Sequence, residues 1–245
     1  MFWKKKPKLP ITSEDKAWVD DCLKWLRSEL SERHFLEIKT VTPTKDFYNR
    51  TFDGTEDDAH FILKRTMELM CIKDVDIELE FFSDNAVHSE DGSILTTPSE
   101  EIDGSWDSAA GIYEMKDGEL KIYIEREQLK RTISLIATIA HELAHQILIG
   151  ENRIEKNDEY LTDLVAITYG YGIFLGNSRF DFSTFSTFDG GGWQSSAQGY
   201  LPEQVIAYTM AKLSFERGEN IDFNQFLEKE IKTYFLQSYN YLETN

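Results

Sequence analysis

The chain has 245 residues, of which 41% are hydrophobic and 29% charged, a balance typical of an ordered globular protein. Its formal net charge of −18 argues against nucleic acid or an anionic membrane as a main partner, because both attract a positive surface. No stretch resembles a secretory signal or approaches the roughly 20 apolar residues of a membrane span. We therefore predict a cytoplasmic protein, in which Cys22 and Cys71 are buried free thiols rather than part of a disulfide framework.

The N-terminal part is predicted to be mainly helical. The apolar spacing predicts an amphipathic helix over residues 13–31 with Ser13 as its N-cap, and a second helix over 55–71 that Thr55 caps. Alternating apolar residues then predict a strand within 74–82. Residues 84–108, which are rich in Ser, Asp, Glu and Gly, are predicted to form a loop.

A β-hairpin is predicted next, because two alternating runs within 111–125 flank the turn signal Lys116-Asp117-Gly118. An apolar helix follows over about 132–149, and Gly150 is expected to end it. Another helix is expected over about 159–175. A hairpin and two helices are thus predicted in this order along the chain.

The last third of the chain combines a loop with two helices. Residues 176–200 are rich in Gly, Ser and Phe, and we expect a long loop that could close over a cleft as a lid. Helices over about 202–217 and 222–242 follow, separated at Gly218. With no internal repeat and no clear linker, the economical interpretation is one α+β domain over 1–245.

The central helix carries polar residues in an apolar sequence, ATIAHELAHQILIG. His141 and His145 are spaced i, i+4, which places both imidazoles on one helix face, where they can bind one ion. Glu142 lies beside the first histidine. This is the pattern H-E-x-x-H, in which two histidines bind zinc and the glutamate acts as general base on a water.

A catalytic zinc usually has a third protein ligand. No histidine follows His145, and the three upstream histidines (His34, His60 and His88) lie in polar surroundings typical of surface residues. The acidic candidates are Glu159 and Asp163, which are also spaced i, i+4. One of them can bind the metal while the other contacts a ligand histidine, and the spacing alone leaves their roles open.

The two motifs together resemble the gluzincin branch of zinc metallopeptidases, whose signature is H-E-x-x-H followed by E-x-x-x-D. Here these are His141 to His145 and Glu159-Tyr160-Leu161-Thr162-Asp163, so the resemblance implies that Glu159 is the third zinc ligand and that Asp163 is the partner of a histidine. It covers about residues 109–175. Over its whole length the sequence looks like an uncharacterised bacterial family that carries the AHELAH…LTDL pattern.

The resemblance also implies a fold and a substrate site. It implies a zincin-like fold, with a small mixed sheet whose hairpin packs on the active-site helix, between mostly helical N- and C-terminal parts. An edge strand within Ala109–Tyr113 or Leu120–Glu125 would pair with an extended peptide. Gluzincins often use a downstream His or Tyr to stabilise the oxyanion, and the candidates here are Tyr169, Tyr171, Tyr200, Tyr208 and Arg179, among which Tyr200 is favoured.

The expected function is that of a zinc-dependent metallopeptidase. In this hypothesis a metal-activated water attacks a peptide carbonyl, with Glu142 as general base, and the partner is a peptide or protein substrate rather than nucleic acid or a membrane. The alternative is a non-catalytic zinc-binding protein that serves as a binding or regulatory module. The sequence leaves the substrate and the oligomeric state open.

Overall fold

A computed structural model describes residues 8–82, 86–88, 94–96, 111–116, 119–185 and 201–244. Within these ranges, only the backbone is described for 86–88, 94–96, 111–116, 119 and 179–185. The described part is dominated by helices and includes a small mixed sheet. The general α+β class predicted from the sequence is therefore confirmed.

Three helices form the N-terminal part, and the first and third begin at side-chain caps. They are α1 (Ser13–Glu29), α2 (Glu32–Glu37) and α3 (Glu56–Leu69). Thr55 caps α3 as predicted, and it forms a capping box with Asp58. The cap of α1 was assigned one residue too late, because Thr12 rather than Ser13 accepts the backbone N–H of Asp15.

The two cysteines differ in their surroundings. Cys22 is partly buried on α1, where burial first and the nearby acidic groups second raise the pKa of its thiol to about 11. Cys71 is exposed and has a positive φ of 60° just after α3. The prediction that Cys71 is buried was therefore wrong: its neighbours Met70 and Ile72 are buried, whereas Cys71 is exposed at the turn that follows α3.

The main sheet has three described strands, in the order β1-β5-β4. The strands of the chain are β1 (Ile77–Phe82), β2 (Ala86–His88), β3 (Ile94–Thr96), β4 (Gly111–Lys116) and β5 (Glu119–Glu125). Strand β5 is parallel to β1 and forms the predicted antiparallel hairpin with β4. Of the two candidates for an edge strand, β4 therefore lies at an edge of this sheet, and β5 lies in its centre.

The prediction of a loop over 84–108 was wrong at residues 86–88 and 94–96. Within it, β2 and β3 pair as two short antiparallel strands. The remainder of this segment lies outside the described residues.

The helix with the H-E-x-x-H motif lies at the centre of the fold. Helix α4 (Thr132–His145) continues into a π-helical turn (Gln146–Gly150), so Gly150 is its last residue. It packs against α3, α5, α6 and strand β4. The 19 residues Thr132–Gly150 have the length and mean hydropathy (1.3) of a membrane span, which corrects the prediction that no stretch approaches one. Most of this segment (83%) is buried inside the protein, as expected of a core helix.

A second helical segment packs beside α4 and carries the acidic motif. It consists of α5 (Glu159–Ala166), a turn (Ile167–Tyr171) that is kinked at Gly170, where a φ of 97° is not helical, and α6 (Gly172–Phe185). The predicted loop from residue 176 was therefore wrong at its beginning. Gly172 and Gly176 lie within α6, where they provide room for neighbouring side chains: a Cβ on Gly172 would lie 2.5 Å from Met210 Cγ.

The last two helices follow the prediction with small shifts. Helix α7 (Glu203–Arg217) ends at Gly218, which has the left-handed conformation expected after a helix. Helix α8 (Lys229–Thr244) begins later than predicted, because a 3₁₀ segment (Ile221–Phe226) precedes it. Most of the predicted lid, residues 186–200, lies outside the described residues.

Candidate metal centre

Three side chains converge between α4 and α5. His141, His145 and Glu159 each offer one ligand atom, and these atoms lie within 4.8 Å of one another. Glu159 Oε2 is 3.0 Å from His141 Nε2 and 3.5 Å from His145 Nε2. We call these three residues the ligand cluster, and its geometry shows that the group could hold a metal ion.

Local helix geometry explains why these atoms meet. His141 and His145 are one turn apart on α4, and their ring centroids are 4.8 Å apart. Glu159 is the first residue of α5, immediately after the N-cap Asp158, whose Oδ1 accepts the N–H of Leu161. Because α5 packs against α4, the start of α5 brings the carboxylate to the two imidazoles.

Asp163 supports the cluster from the buried side. Its Oδ1 lies 2.8 Å from His141 Nδ1, and its Oδ2 accepts the backbone N–H of Leu201 at 2.8 Å. The residue is only 3% exposed. A carboxylate accepts the Nδ1 proton, which leaves His141 Nε2 as the nitrogen that can bind a metal. The structure thus places Glu159 against both imidazoles, whereas Asp163 contacts the far nitrogen of one of them.

Sequence reasoning missed two further contacts of the cluster. Asn157 donates from Nδ2 to Glu159 Oε1 at 2.6 Å, so it holds the carboxylate oxygen that does not face the histidines. Thr162 Oγ1 lies 3.3 Å from His145 Nδ1. The signal for Thr162 was its position three residues after Glu159, on the same face of α5.

The charges of the cluster are strongly coupled. Burial by itself would lower the pKa of His141, but hydrogen bonds to Asp163 and Glu159 outweigh it and raise that pKa well above its usual value. For Glu159, burial would raise the pKa, and the contacts with His141 and His145 instead hold it far below its usual range. Without a metal, the cluster therefore keeps a proton that a metal ion would have to displace.

Glu142 lies in the same buried region. Glu142 is 5% exposed, and His141 and His145 are each 6% exposed. The side chain of Glu159, in contrast, is 39% exposed. Thr138 lies one turn before Glu142 on α4, and its buried hydroxyl has no hydrogen-bond partner among the described residues. The hydroxyl of Thr138 is thus a further polar group on the helix face that carries the motif.

The candidates for oxyanion stabilisation are only partly described. Three of them contact other residues: Tyr208 donates to Asp20 at 3.2 Å, while the rings of Tyr169 and Tyr171 meet those of His34 and Phe174. Tyr200 and the side chain of Arg179 lie outside the described residues. Leu201, which follows Tyr200 in the chain, is bonded to Asp163.

The other histidines whose side chains are described, His34 and His60, are not part of the ligand cluster. His60 is exposed and contacts its own helix, since its Nδ1 lies 2.8 Å from the carbonyl of Glu56. His34 is half-buried. The side chain of His88 lies outside the described residues.

The chain has no match among protein-family models, curated proteins or solved structures. The function therefore has to be argued from the geometry of the ligand cluster.

Proposed function

We propose that this protein is a zinc-dependent metallopeptidase of the gluzincin type with a zincin-like fold. The observation that carries the proposal is the convergence of the H-E-x-x-H helix with the first residue of α5. His141, His145 and Glu159 supply three ligand atoms at one point. The acid four residues after Glu159, Asp163, contacts a ligand histidine.

The donor set favours zinc. Two imidazoles and one carboxylate are typical ligands of catalytic zinc, whereas magnesium and calcium prefer oxygen ligands alone. His141, His145 and Glu159 would hold the ion. When bound, zinc would lower the pKa of a water toward neutrality and polarise a substrate carbonyl.

Glu142 is then the candidate general base. It follows His141 on α4 and lies close enough to raise the pKa of that imidazole, but it is not one of the three converging residues. In the proposed reaction Glu142 takes a proton from the attacking water and passes it to the amine nitrogen as the peptide C–N bond breaks. The second proton of the water reaches the amine in the same way, so the neutral peptide bond and water give a carboxylate and an ammonium group, and atoms and charge balance.

Strand β4 offers a place for a peptide substrate. It lies at an edge of the described three-stranded sheet and packs against α4. An extended peptide can add to such an edge through main-chain hydrogen bonds. This location would bring a substrate backbone alongside the helix that carries Glu142.

One observation favours a second function. His141, Glu142 and His145 are 5–6% exposed, and such burial also suits a closed zinc site in a non-catalytic binding or regulatory module. A hydroxamate peptide analogue distinguishes the two functions. It should raise the melting temperature of a peptidase with an accessible metal, but it should leave a closed site unchanged.

The first experiment is metal analysis of the purified protein. We expect about one zinc per chain in the wild type, a strong loss in Glu159→Ala, and a smaller loss in Asp163→Ala. Glu155→Ala is the matched control, because Glu155 is an exposed glutamate four residues before Glu159. Absence of zinc in the wild type after reconstitution would refute the metal centre.

The catalytic test uses Glu142→Gln. We expect this variant to keep its zinc and to lose cleavage of a peptide library by at least about 100-fold, since a positioned base contributes that much. Full activity in Glu142→Gln would exclude the proposed mechanism, even with the metal in place.

A further inference from the structure

We propose that Thr162 is a positioning residue of the metal centre, because its hydroxyl fixes the tautomer and orientation of His145. Thr162 is fully buried on α5, and its Oγ1 lies 3.3 Å from His145 Nδ1. The inference rests on the metal centre proposed above, but it does not depend on peptide cleavage.

The direction of the hydrogen bonds follows from a second contact. Thr162 Oγ1 is 2.9 Å from the backbone carbonyl oxygen of Asp158. A carbonyl oxygen can only accept, so the hydroxyl donates its hydrogen to Asp158. Toward His145 the hydroxyl oxygen then acts as an acceptor, which places the imidazole proton on Nδ1.

This arrangement determines which nitrogen of His145 can bind a metal. With its proton on Nδ1, the imidazole has its lone pair on Nε2, the atom that lies 3.5 Å from Glu159 Oε2. The alternative tautomer would place a proton at the point where the ligand atoms converge. Thr162 therefore selects the form of His145 that can act as a ligand.

The two ligand histidines consequently have different partners. The carboxylate of Asp163 accepts from His141, whereas a neutral hydroxyl accepts from His145. Both partners are consecutive residues of α5, three and four positions after Glu159, where a helix presents one face. A short helix thus supplies one ligand and the acceptors for both of the others.

Thr162→Val removes the hydroxyl with little change in shape. The Asp158 carbonyl keeps its bond from the backbone N–H of Thr162, at 2.9 Å, so the substitution leaves no new unpaired backbone group there. Thr162→Ser retains the hydroxyl and should restore the wild-type behaviour. Thr209→Val is the matched control, because Thr209 is also fully buried and donates to the carbonyl four residues earlier, at 2.8 Å, on α7.

The test measures the histidine tautomer and the zinc affinity separately. Long-range nitrogen–proton NMR of histidine-labelled, metal-free protein at about pH 8, where an ordinary imidazole is neutral, should show the His145 proton on Nδ1. The same result is expected in Thr162→Ser and Thr209→Val, whereas Thr162→Val should lose this preference. Zinc affinity, measured by competition with a chelator, should fall about 10-fold in Thr162→Val alone.

Two results would overturn the inference. One is an unchanged tautomer of His145 in Thr162→Val, and the other is an unchanged zinc affinity of that variant when the wild type binds zinc. A wild type that binds no zinc would refute the proposed function instead. The tautomer in the metal-free protein would still decide the role of Thr162.

Discussion

Replacing Asp163 by Asn tests the buried side of the metal centre. Two N–H groups point at this carboxylate, Nδ1–H of His141 at one oxygen and the backbone N–H of Leu201 at the other. An asparagine side chain has one acceptor oxygen and one NH₂ group. In Asp163→Asn, one of the two donors therefore faces another donor, in a position that is 3% exposed in the wild type.

The cost follows from these contacts. Losing a hydrogen bond to a charged group costs about 1.5–3 kcal/mol, and leaving a buried donor unpaired costs about 1–3 kcal/mol. We therefore expect Asp163→Asn to lose roughly 3–5 kcal/mol of unfolding free energy, a large part of the total of about 5–15 kcal/mol of a typical domain. If His141 instead moves its proton to Nε2, stability is partly recovered, but His141 can then no longer bind the metal through that nitrogen.

The assay is urea unfolding of the metal-free protein in a chelator, together with zinc competition. The chelator matters because bound zinc would add its own stabilisation. The urea midpoint should fall at unchanged slope, and the zinc affinity should fall about 10–100-fold. The matched control is Asp158→Asn, because Asp158 accepts one N–H as the cap of α5 and Asn is an equally good cap.

The control variant should differ from the wild type by less than about 0.5 kcal/mol. If Asp163→Asn matches Asp158→Asn in both stability and zinc affinity, the assigned hydrogen bonds of Asp163 are wrong.

Three further predictions follow from single residues. His141 is buried, but its hydrogen bonds to carboxylates raise its pKa. The metal-free protein therefore keeps this proton at pH values above the ordinary pKa of about 6.5 and releases it only as the pH rises through the raised pKa. Zinc binding near neutral pH should thus release about one proton. Titration calorimetry in buffers of different ionisation enthalpy measures this number, and no release would contradict it. Thr138→Val removes the buried, unpartnered hydroxyl and should raise the unfolding free energy by about 1 kcal/mol, whereas a loss of that size in thermal or urea unfolding would reveal a partner. Gly170→Ala should lower stability by at least about 2 kcal/mol, since Gly170 has a φ of 97° and its added Cβ would lie 2.3 Å from Lys39 O; an unchanged urea midpoint would show that this backbone can relax.

The sequence predicted correctly those features of the fold that depend on residues close together in the chain. The Thr55 cap and the antiparallel pairing of β4 with β5 were predicted correctly, because capping and hairpin formation depend on residues that are close together in the chain. The motif helix was also predicted, since its apolar periodicity extends over four turns. The edge position of β4 could not be derived, because it depends on the pairing of β5 with β1, which lies more than forty residues earlier.

Glycine was the least reliable signal. Gly218 ends α7 as predicted, in the left-handed conformation. Gly176, however, lies inside α6, where a Cβ would be 3.2 Å from Ile231 Cγ2. In the first case glycine permits a backbone conformation, and in the second it permits close packing with a helix from the other end of the chain. Sequence alone does not separate these two uses.

The sequence predicted that His141, His145 and Glu159 lie together, but it did not predict all the contacts that hold them in place. The spacing of His141 and His145 defines one helix face, and Glu159 was identified by resemblance. Thr162 was overlooked, because a threonine in an apolar helix is most often a filler of the core. Only the three-dimensional contact shows that its hydroxyl lies against an imidazole.

The contacts divide the site into a fixed part and an accessible part. The imidazoles of His141 and His145 are held from behind by Asp163 and Thr162, and each imidazole side chain is 8% exposed. The Glu159 side chain is 39% exposed, and the bond from Asn157 to Oε1 leaves Oε2 facing the histidines. Among the three ligands, the carboxylate is thus the one that solvent reaches. A metal ion, a chelator or a substrate would therefore approach past Glu159, while the buried histidines keep their orientation.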